Sequence, residues 1–169
     1  MIRRSFLAAI LAMSGPALAA CGGSSPGSPG CLSHDLNGSI GLSQATAGAV
    51  EVTLVFRNVN TAPCTLNGFP GVALAAGTPA KDVGRRSSQN VAAAHGPVKL
   101  APGGFANATL QISAAGNYAA SVCMPMKTTS LAVMPPNQKS PIYIPFDSTG
   151  CKGSPKLLTV SAFRPGKGG

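Results

Sequence analysis

The feature that most constrains this chain is the segment 49–58, in which apolar side chains recur at every second residue. One face of an extended strand there carries Val50, Val52, Leu54 and Phe56. The other face carries Glu51, Thr53, Val55 and Arg57. A period of two is typical of a β-strand with one face in a core and the other in water. The pattern predicts a central strand with Phe56 in the core and Thr53 on the wet face.

Turn-forming residues dominate the rest of the chain, because 21 of the 169 residues are Gly and 15 are Pro. Long helices have little room in such a composition, and short strands joined by turns are favoured. We predict strands over residues 39–42, 49–58, 71–75, 98–100, 105–113, 129–134, 141–145 and 157–163. Strands of this length and spacing, without a βαβ rhythm, predict an all-β domain of the immunoglobulin-like β-sandwich type.

The first twenty residues have the three parts of an export signal. Arg3 and Arg4 are followed by the apolar run 6–13 and then by a break at 14–16. That run is far shorter than the ~20 residues needed to span a bilayer. The motif Leu-Ala-Ala-Cys ending at Cys21 predicts lipidation of Cys21 and anchoring of the protein to a bacterial membrane, outside the cytoplasm. The alternative is cleavage after Ala19, which leaves Cys21 as an ordinary thiol.

The domain boundaries follow from composition. Residues 1–20 are the signal peptide, and residues 21–30 are the lipidated cysteine with a Gly, Ser and Pro linker. A linker of this composition reaches on the order of 15–18 Å. Residues 31–163 form the globular domain, with 164–169 as a polar tail. Residues 77–96, which are polar and basic without a clean period, are predicted to form a long surface loop.

The charge balance is strongly basic, with 13 Lys and Arg against four acids and a formal net charge of +9. Such a charge favours anionic partners, here phospholipid headgroups or anionic envelope polymers. Nucleic acid is not expected, because the basic residues are scattered, aromatic residues are few and the leader exports the chain. A protein partner is not identified by the sequence.

Four cysteines remain after Cys21, namely Cys31, Cys64, Cys123 and Cys151. An exported protein meets an oxidising compartment, so we expect two disulfides. Four cysteines allow three pairings. We favour Cys31–Cys64 with Cys123–Cys151, which close two separate loops.

Soft metal ligands give an alternative function. His34 follows Cys31 closely, and Met124 and Met126 follow Cys123, a set of donors that suits Cu(I). Against a metal site, Met more often serves packing, and a His beside Asp35 is more often solvated. No pair of cysteines has the Cys-x-x-Cys spacing of a structural zinc site. We therefore expect no metal and no other cofactor.

Catalytic signals are weak. The four acids, Asp35, Glu51, Asp82 and Asp147, are far apart in sequence, whereas a glycosidase needs two carboxylates across one cleft. Residues 41–45 read Gly-Leu-Ser-Gln-Ala, which misses the last glycine of a nucleophile elbow, and we assign them to a loop. We expect no catalytic residues and no enzyme activity.

Several short motifs occur in a fixed order along the domain. After Cys31 come Val-Phe-Arg-Asn at 55–58, Ala-Pro-Cys-Thr-Leu at 62–66, Gly-Phe-Pro-Gly-Val at 68–72, Leu-Ala-Pro-Gly-Gly at 100–104, Cys123, Leu-Ala-Val-Met-Pro-Pro at 131–136 and Cys151. In this order they resemble the bacterial secreted-lipoprotein family known as domain of unknown function 4232. The resemblance implies a secreted or lipid-anchored β-domain and carries no assigned activity.

These observations converge on one expectation. The chain is predicted to be a membrane-anchored, non-catalytic β-sandwich that binds or supports other components of the cell envelope. A copper-binding accessory protein is the alternative, and an envelope hydrolase is the third possibility.

Overall fold

The computed structural model describes residues 28–93 and 95–168. Its strands are β1 Leu36–Thr46, β2 Ala49–Asn58, β3 Cys64–Leu66, β4 Gly71–Ala76, β5 Lys81–Val83, β6 Ser88–Asn90, β7 Val98–Leu100, β8 Phe105–Ser113, β9 Pro125–Met134, β10 Ile142–Cys151, β11 Leu158–Ser161 and β12 Arg164–Pro165. The helical elements are one short helix, α1 Ala120–Cys123, and the 3-10 turns Ser33–Asp35 and Ala115–Asn117. The all-β class is confirmed. The leader and Cys21 lie outside the described residues.

The strands form two main sheets. The larger sheet has the order β1-β2-β8-β11-β6, with β12 paired to the start of β8. The smaller sheet has the order β10-β9-β4-β5, and β3 pairs separately with β7. Pairing between the named strands is antiparallel except for β6 with β11. Within residues 28–93 and 95–168, no helix is both long and apolar enough to cross a bilayer.

One apolar cluster joins the two sheets and forms the core. The larger sheet contributes Val52, Leu54 and Phe56 from β2, together with Leu110 from β8, all fully buried. The smaller sheet contributes Val72, Leu74, Leu131, Val133 and Ile144. Full burial of a Leu or Phe side chain is worth roughly 1.5–3 kcal/mol. The inward face predicted for β2 is therefore the face that packs in the core.

The outward face of β2 is less wet than its sequence predicts. Glu51 and Arg57 are exposed, but Thr53 is half-buried and only 8% of Val55 is exposed. The register of β1 on β2 shifts between Ile40 and Ser43. This bulge brings Gly41 against Val55, so close that an added Cβ would lie 3.0 Å from a Val55 methyl group. A glycine on the neighbouring strand thus covers a valine that alternation alone assigns to water.

Several boundaries differ from those predicted. The bounds of β2, β7 and β8 match the prediction. The segment 77–96 is not one long loop, because it contains β5 and β6. Residues 41–45 are not a loop either, because they belong to β1, and the predicted tail contributes β12 to the larger sheet. These misassigned segments are short or rich in small and polar residues, and their neighbours hold them in the sheet.

Each disulfide closes the base of one hairpin. Cys31–Cys64, with Cα atoms 4.8 Å apart, encloses β1 and β2. Cys123–Cys151, with Cα atoms 4.6 Å apart, encloses β9 and β10. These are the two pairs favoured from the sequence. The two hairpins that supply most of each sheet are therefore covalently closed loops.

Candidate functional site

The β-domain has two ends with different surfaces. The described chain begins at the end that we call proximal, where the Thr65 amide donates to the Pro29 carbonyl at 2.8 Å and the Cys31 amide donates to the Thr65 carbonyl at 3.0 Å. β2 and β9 end there, and β8 and β10 begin there. The opposite end, which we call distal, holds the β1–β2 turn and the Cys123–Cys151 disulfide. Ten residues of β2 separate the two ends, a distance of roughly 30 Å.

Asn58 organises the proximal end. It is fully buried, and its side-chain amide donates to the carbonyl oxygens of Ala62 at 2.9 Å, Leu100 at 3.2 Å and Ala101 at 3.3 Å. Its side-chain oxygen accepts from the Asn60 amide at 3.0 Å. Buried polar groups in folded proteins are nearly always paired in this way. Asn58 therefore joins the turn after β2 to the end of β7.

The distal end carries a cleft with a volume of about 710 Å³. That volume lies within the range typical of small-molecule sites, roughly 300–1,000 Å³. The lining comes from the β1–β2 turn with the start of β2, from the end of β8 and the segment that follows it into α1, from the first residue of β9 and from the second half of β10. Its chemical features are the Tyr118 ring, Val50, Ile112 and Pro125, and the hydroxyl groups of Ser148 and Thr149.

Hydrogen bonds fix the wall of this cleft. The side-chain amide of Asn117 donates to the Gly48 carbonyl at 2.7 Å, and the Ala114 amide donates to the same oxygen at 2.9 Å. Gly48 has φ +70°, a left-handed conformation that favours glycine at this turn. The β1–β2 turn and the segment after β8 are thus held together. None of the described residues that line the cleft is charged.

The residues of the predicted copper alternative do not form one site. Ser33, beside His34, donates its hydroxyl to the Ser140 carbonyl, just before β10 begins at the proximal end. Met126 pairs with Gly150 at the distal end of the same β9–β10 hairpin. Met134 is eight positions after Met126 in β9, roughly 26 Å along the strand. Cys31 and Cys123 are held in disulfides. The structure therefore separates His34 from Met124 and Met126.

The four carboxylates are also dispersed. Asp35 is buried at the proximal end and accepts from the Asn60 side-chain amide at 2.7 Å. Asp82 is paired with Arg86. Glu51 and Asp147 are exposed on different sheets. Among residues 28–93 and 95–168, no three His, Cys, Asp or Glu side chains lie close enough to hold a metal ion.

A family model described as domain of unknown function (DUF4232) matches residues 31–164. The chain belongs to the DUF4232 family. The resemblance stated from the motifs is thereby confirmed, and the DUF4232 match begins at the first disulfide cysteine and ends in β12. No curated protein and no solved structure matches the chain.

The DUF4232 motifs are neighbours in space. Asn58, from the Val-Phe-Arg-Asn motif, bonds to Leu100 and Ala101 of the Leu-Ala-Pro-Gly-Gly motif through its side chain. Its backbone amide also donates to the Gly104 carbonyl at 2.9 Å. Gly71 and Val72 pair with Met134 and Val133 of the Leu-Ala-Val-Met motif. These DUF4232 motifs thus meet at the proximal end of the core, whereas Cys123 and Cys151 form the disulfide at the distal end.

Proposed function

We propose that this DUF4232 protein is an exported lipoprotein, anchored through diacylglycerol on Cys21, whose non-catalytic β-sandwich is a binding module of the cell envelope. The leader and the Leu-Ala-Ala-Cys motif support the anchor. Cys21 is a cysteine left over after two disulfides pair the other four, as a lipid-bearing residue would be. Two acyl chains hold a protein stably on a bilayer, whereas one alone binds marginally.

The observation that carries the binding role is the placement of the cleft. Pro29 is eight residues after Cys21 and lies at the proximal end, so an anchor on Cys21 keeps this end near the bilayer. The uncharged cleft lies at the distal end, roughly 30 Å away along β2. An anchored domain of this shape presents its cleft to the space outside the membrane. The wall of the cleft is small, apolar or hydroxylated, which suits an uncharged ligand with both apolar and hydroxyl groups.

Replacing Cys21 tests the anchor. In the expressing bacterium, the wild-type protein is expected in the membrane fraction, and its N-terminal peptide is expected to carry the mass of diacylglycerol. Cys21→Ser is expected to leave the protein soluble or unprocessed, because only a thiol forms the thioether bond. Ser24→Ala, in the same linker, is the matched control and is expected to fractionate as wild type. Unchanged membrane fractionation of a Cys21→Ser protein whose leader has been removed would overturn the anchor, as would an unmodified Cys21 in the wild-type peptide.

A further inference from the structure

We propose that the proximal end is a docking surface for the anionic phospholipid headgroups of the membrane that anchors the chain. This inference rests on the proposed lipidation of Cys21 for its location, but its chemistry is independent of the anchor. It makes the domain lie on the bilayer in one orientation, with the distal cleft outward. Four cations carry the proposal, Arg57, Lys99, Lys139 and Lys167.

Two of these cations share one aromatic ring. The guanidinium carbon of Arg57 lies 5.9 Å from the centroid of Phe105, and Nζ of Lys167 lies 4.5 Å from the same centroid. Arg57 pairs with Phe105 across β2 and β8, and the Gly166 amide donates to the Phe105 carbonyl at 2.9 Å. The ring attracts each cation through its negative face, so two like charges are held close to one ring. A phosphate bound near the ring would offset their mutual repulsion.

The other two cations flank the place where the described chain begins. Lys99 is exposed on β7 and pairs with Thr65, the residue that bonds to Pro29 and Cys31. Lys139 is exposed between β9 and β10, next to Ser140, whose carbonyl accepts from Ser33. All four cations therefore lie on segments at the proximal end, where the linker joins the domain.

Acidic groups do not neutralise this surface. In the part of the chain that the structure describes, the ion pairs are Arg86–Asp82 and His34–Asp35. Asp35 is 8% exposed and turned inward to the Leu32 amide and Asn60. None of the four cations lies within ion-pair distance of a described carboxylate. The positive charge at the proximal end is therefore available to an external anion.

The linker brings this surface within reach of a bilayer. Eight residues from Cys21 to Pro29 span on the order of 14–17 Å when flexible. Charges attract within a screening length of about 8–10 Å at physiological salt. Juxtamembrane clusters of Lys and Arg bind anionic leaflets by this mechanism. Membrane lipid is favoured over a more distant envelope polymer because the linker confines this same end to the headgroup region.

Lysine reactivity tests the proposal on the full-length protein purified from bacterial membranes. The protein is reconstituted into vesicles of phosphatidylcholine alone or of phosphatidylcholine with phosphatidylglycerol, and acetylation is measured at each lysine by mass spectrometry. Lys99, Lys139 and Lys167 are expected to react several-fold more slowly on the anionic vesicles, and high salt is expected to reverse the effect. The distal lysines Lys127, Lys152 and Lys156 are expected to react equally on both.

Matched charge variants make the test specific, with Lys139 as the common reporter. Arg57→Gln, Lys99→Gln and Lys167→Gln together are expected to abolish the protection of Lys139. Lys127→Gln, Lys152→Gln and Lys156→Gln together change the net charge equally and are expected to preserve it. If both triple variants lose the protection of Lys139 to the same extent, the charge effect is not localised at the proximal end and the proposal is overturned.

Further measurements distinguish membrane lipid from other anions, and the docking surface from the anchor on Cys21. Equal slowing by inorganic phosphate in detergent would overturn the lipid assignment. If a polyglycerol phosphate polymer slows the acetylation of the proximal lysines and anionic vesicles do not, the lipid assignment is overturned and an envelope polymer is the anion. If the protein floats with both kinds of vesicle but its lysines react equally, the docking surface fails and the anchor stands. If it floats only with anionic vesicles and high salt releases it, the anchor fails and the docking surface stands.

Discussion

The ring of Phe56 is fully buried and packs edge to face on Phe163, with centroids 5.3 Å apart. Phe56→Ala removes this contact and leaves a cavity between the sheets, so we expect it to lower the free energy of unfolding by roughly 3–5 kcal/mol. Thr53→Ala, on the opposite face of β2, is expected to cost less than about 1 kcal/mol, because Thr53 is only half-buried. Urea midpoints measure both. Equal costs would mean that both faces of β2 are core.

Asn58 is the second residue on which stability depends. Asn58→Ala leaves the buried Leu100 carbonyl without its side-chain donor, and we expect a loss of about 1–3 kcal/mol in the free energy of unfolding. Asn117→Ala removes a comparable bond to Gly48 at an exposed site and is expected to cost under about 1 kcal/mol. Chemical denaturation compares the two variants. If Asn58→Ala lowers the free energy of unfolding no more than Asn117→Ala does, water replaces the hydrogen bonds of the Asn58 side chain.

The structural roles of Phe56 and Asn58 differ in how far the sequence predicts them. Phe56 stands in a strict alternation, and the alternation alone places it in the core. Asn58 is the last residue of β2 and the first of several turn-forming residues there, and nothing local distinguishes it from Asn60. Its role depends on Leu100 and Ala101, 42 and 43 residues further along the chain. Contacts between distant segments are not visible in a local pattern, which is also why the burial of Val55 under Gly41 escaped prediction.

At the scale of elements, the disulfides define the hairpins. Digestion without reductant is expected to link the peptides of Cys31 and Cys64 and those of Cys123 and Cys151. Removing either bond, by Cys31→Ala with Cys64→Ala or by Cys123→Ala with Cys151→Ala, is expected to cost roughly 3.5–4 kcal/mol in the chain-entropy model. The closed loops are similar, with separations of 33 and 28 residues. A peptide linking Cys64 to Cys123 would contradict the pairing.

Strand prediction succeeded where the strand's own side chains determine its place. β2 and β8 alternate clearly, so their bounds were predicted correctly. β3, β5, β6 and β12 have three residues or fewer, and pairing with a neighbour defines them. β6 is the clearest example, because Ser88–Asn90 is entirely polar and joins the sheet through parallel pairing with β11. The distal cleft escaped prediction for the same reason, since its lining comes from four separate segments.

At the scale of the whole molecule, filling the cleft tests whether it binds uncharged ligands. Gly116 lines the cleft, and an added Cβ there meets no atom within 4 Å, so Gly116→Trp places a large ring at the cleft without a clash at its Cβ. Nile red, a neutral apolar dye, is expected to bind the wild type and to bind Gly116→Trp at least tenfold more weakly, as measured by fluorescence titration. Gly96→Trp, at an equally open glycine outside the lining, is the control. Equal binding to both variants would place the dye elsewhere.

The two closed hairpins also determine how the domain carries mechanical tension. A pull on the residues before Gly30 reaches the fold at Cys31 and passes through the disulfide to Cys64, so the covalent path bypasses β1 and β2. The second disulfide bypasses β9 and β10 in the same way. Stretching the chain from its ends can therefore lengthen only the segments outside these loops. The four strands of these two hairpins therefore carry no tension while the chain around them is under load.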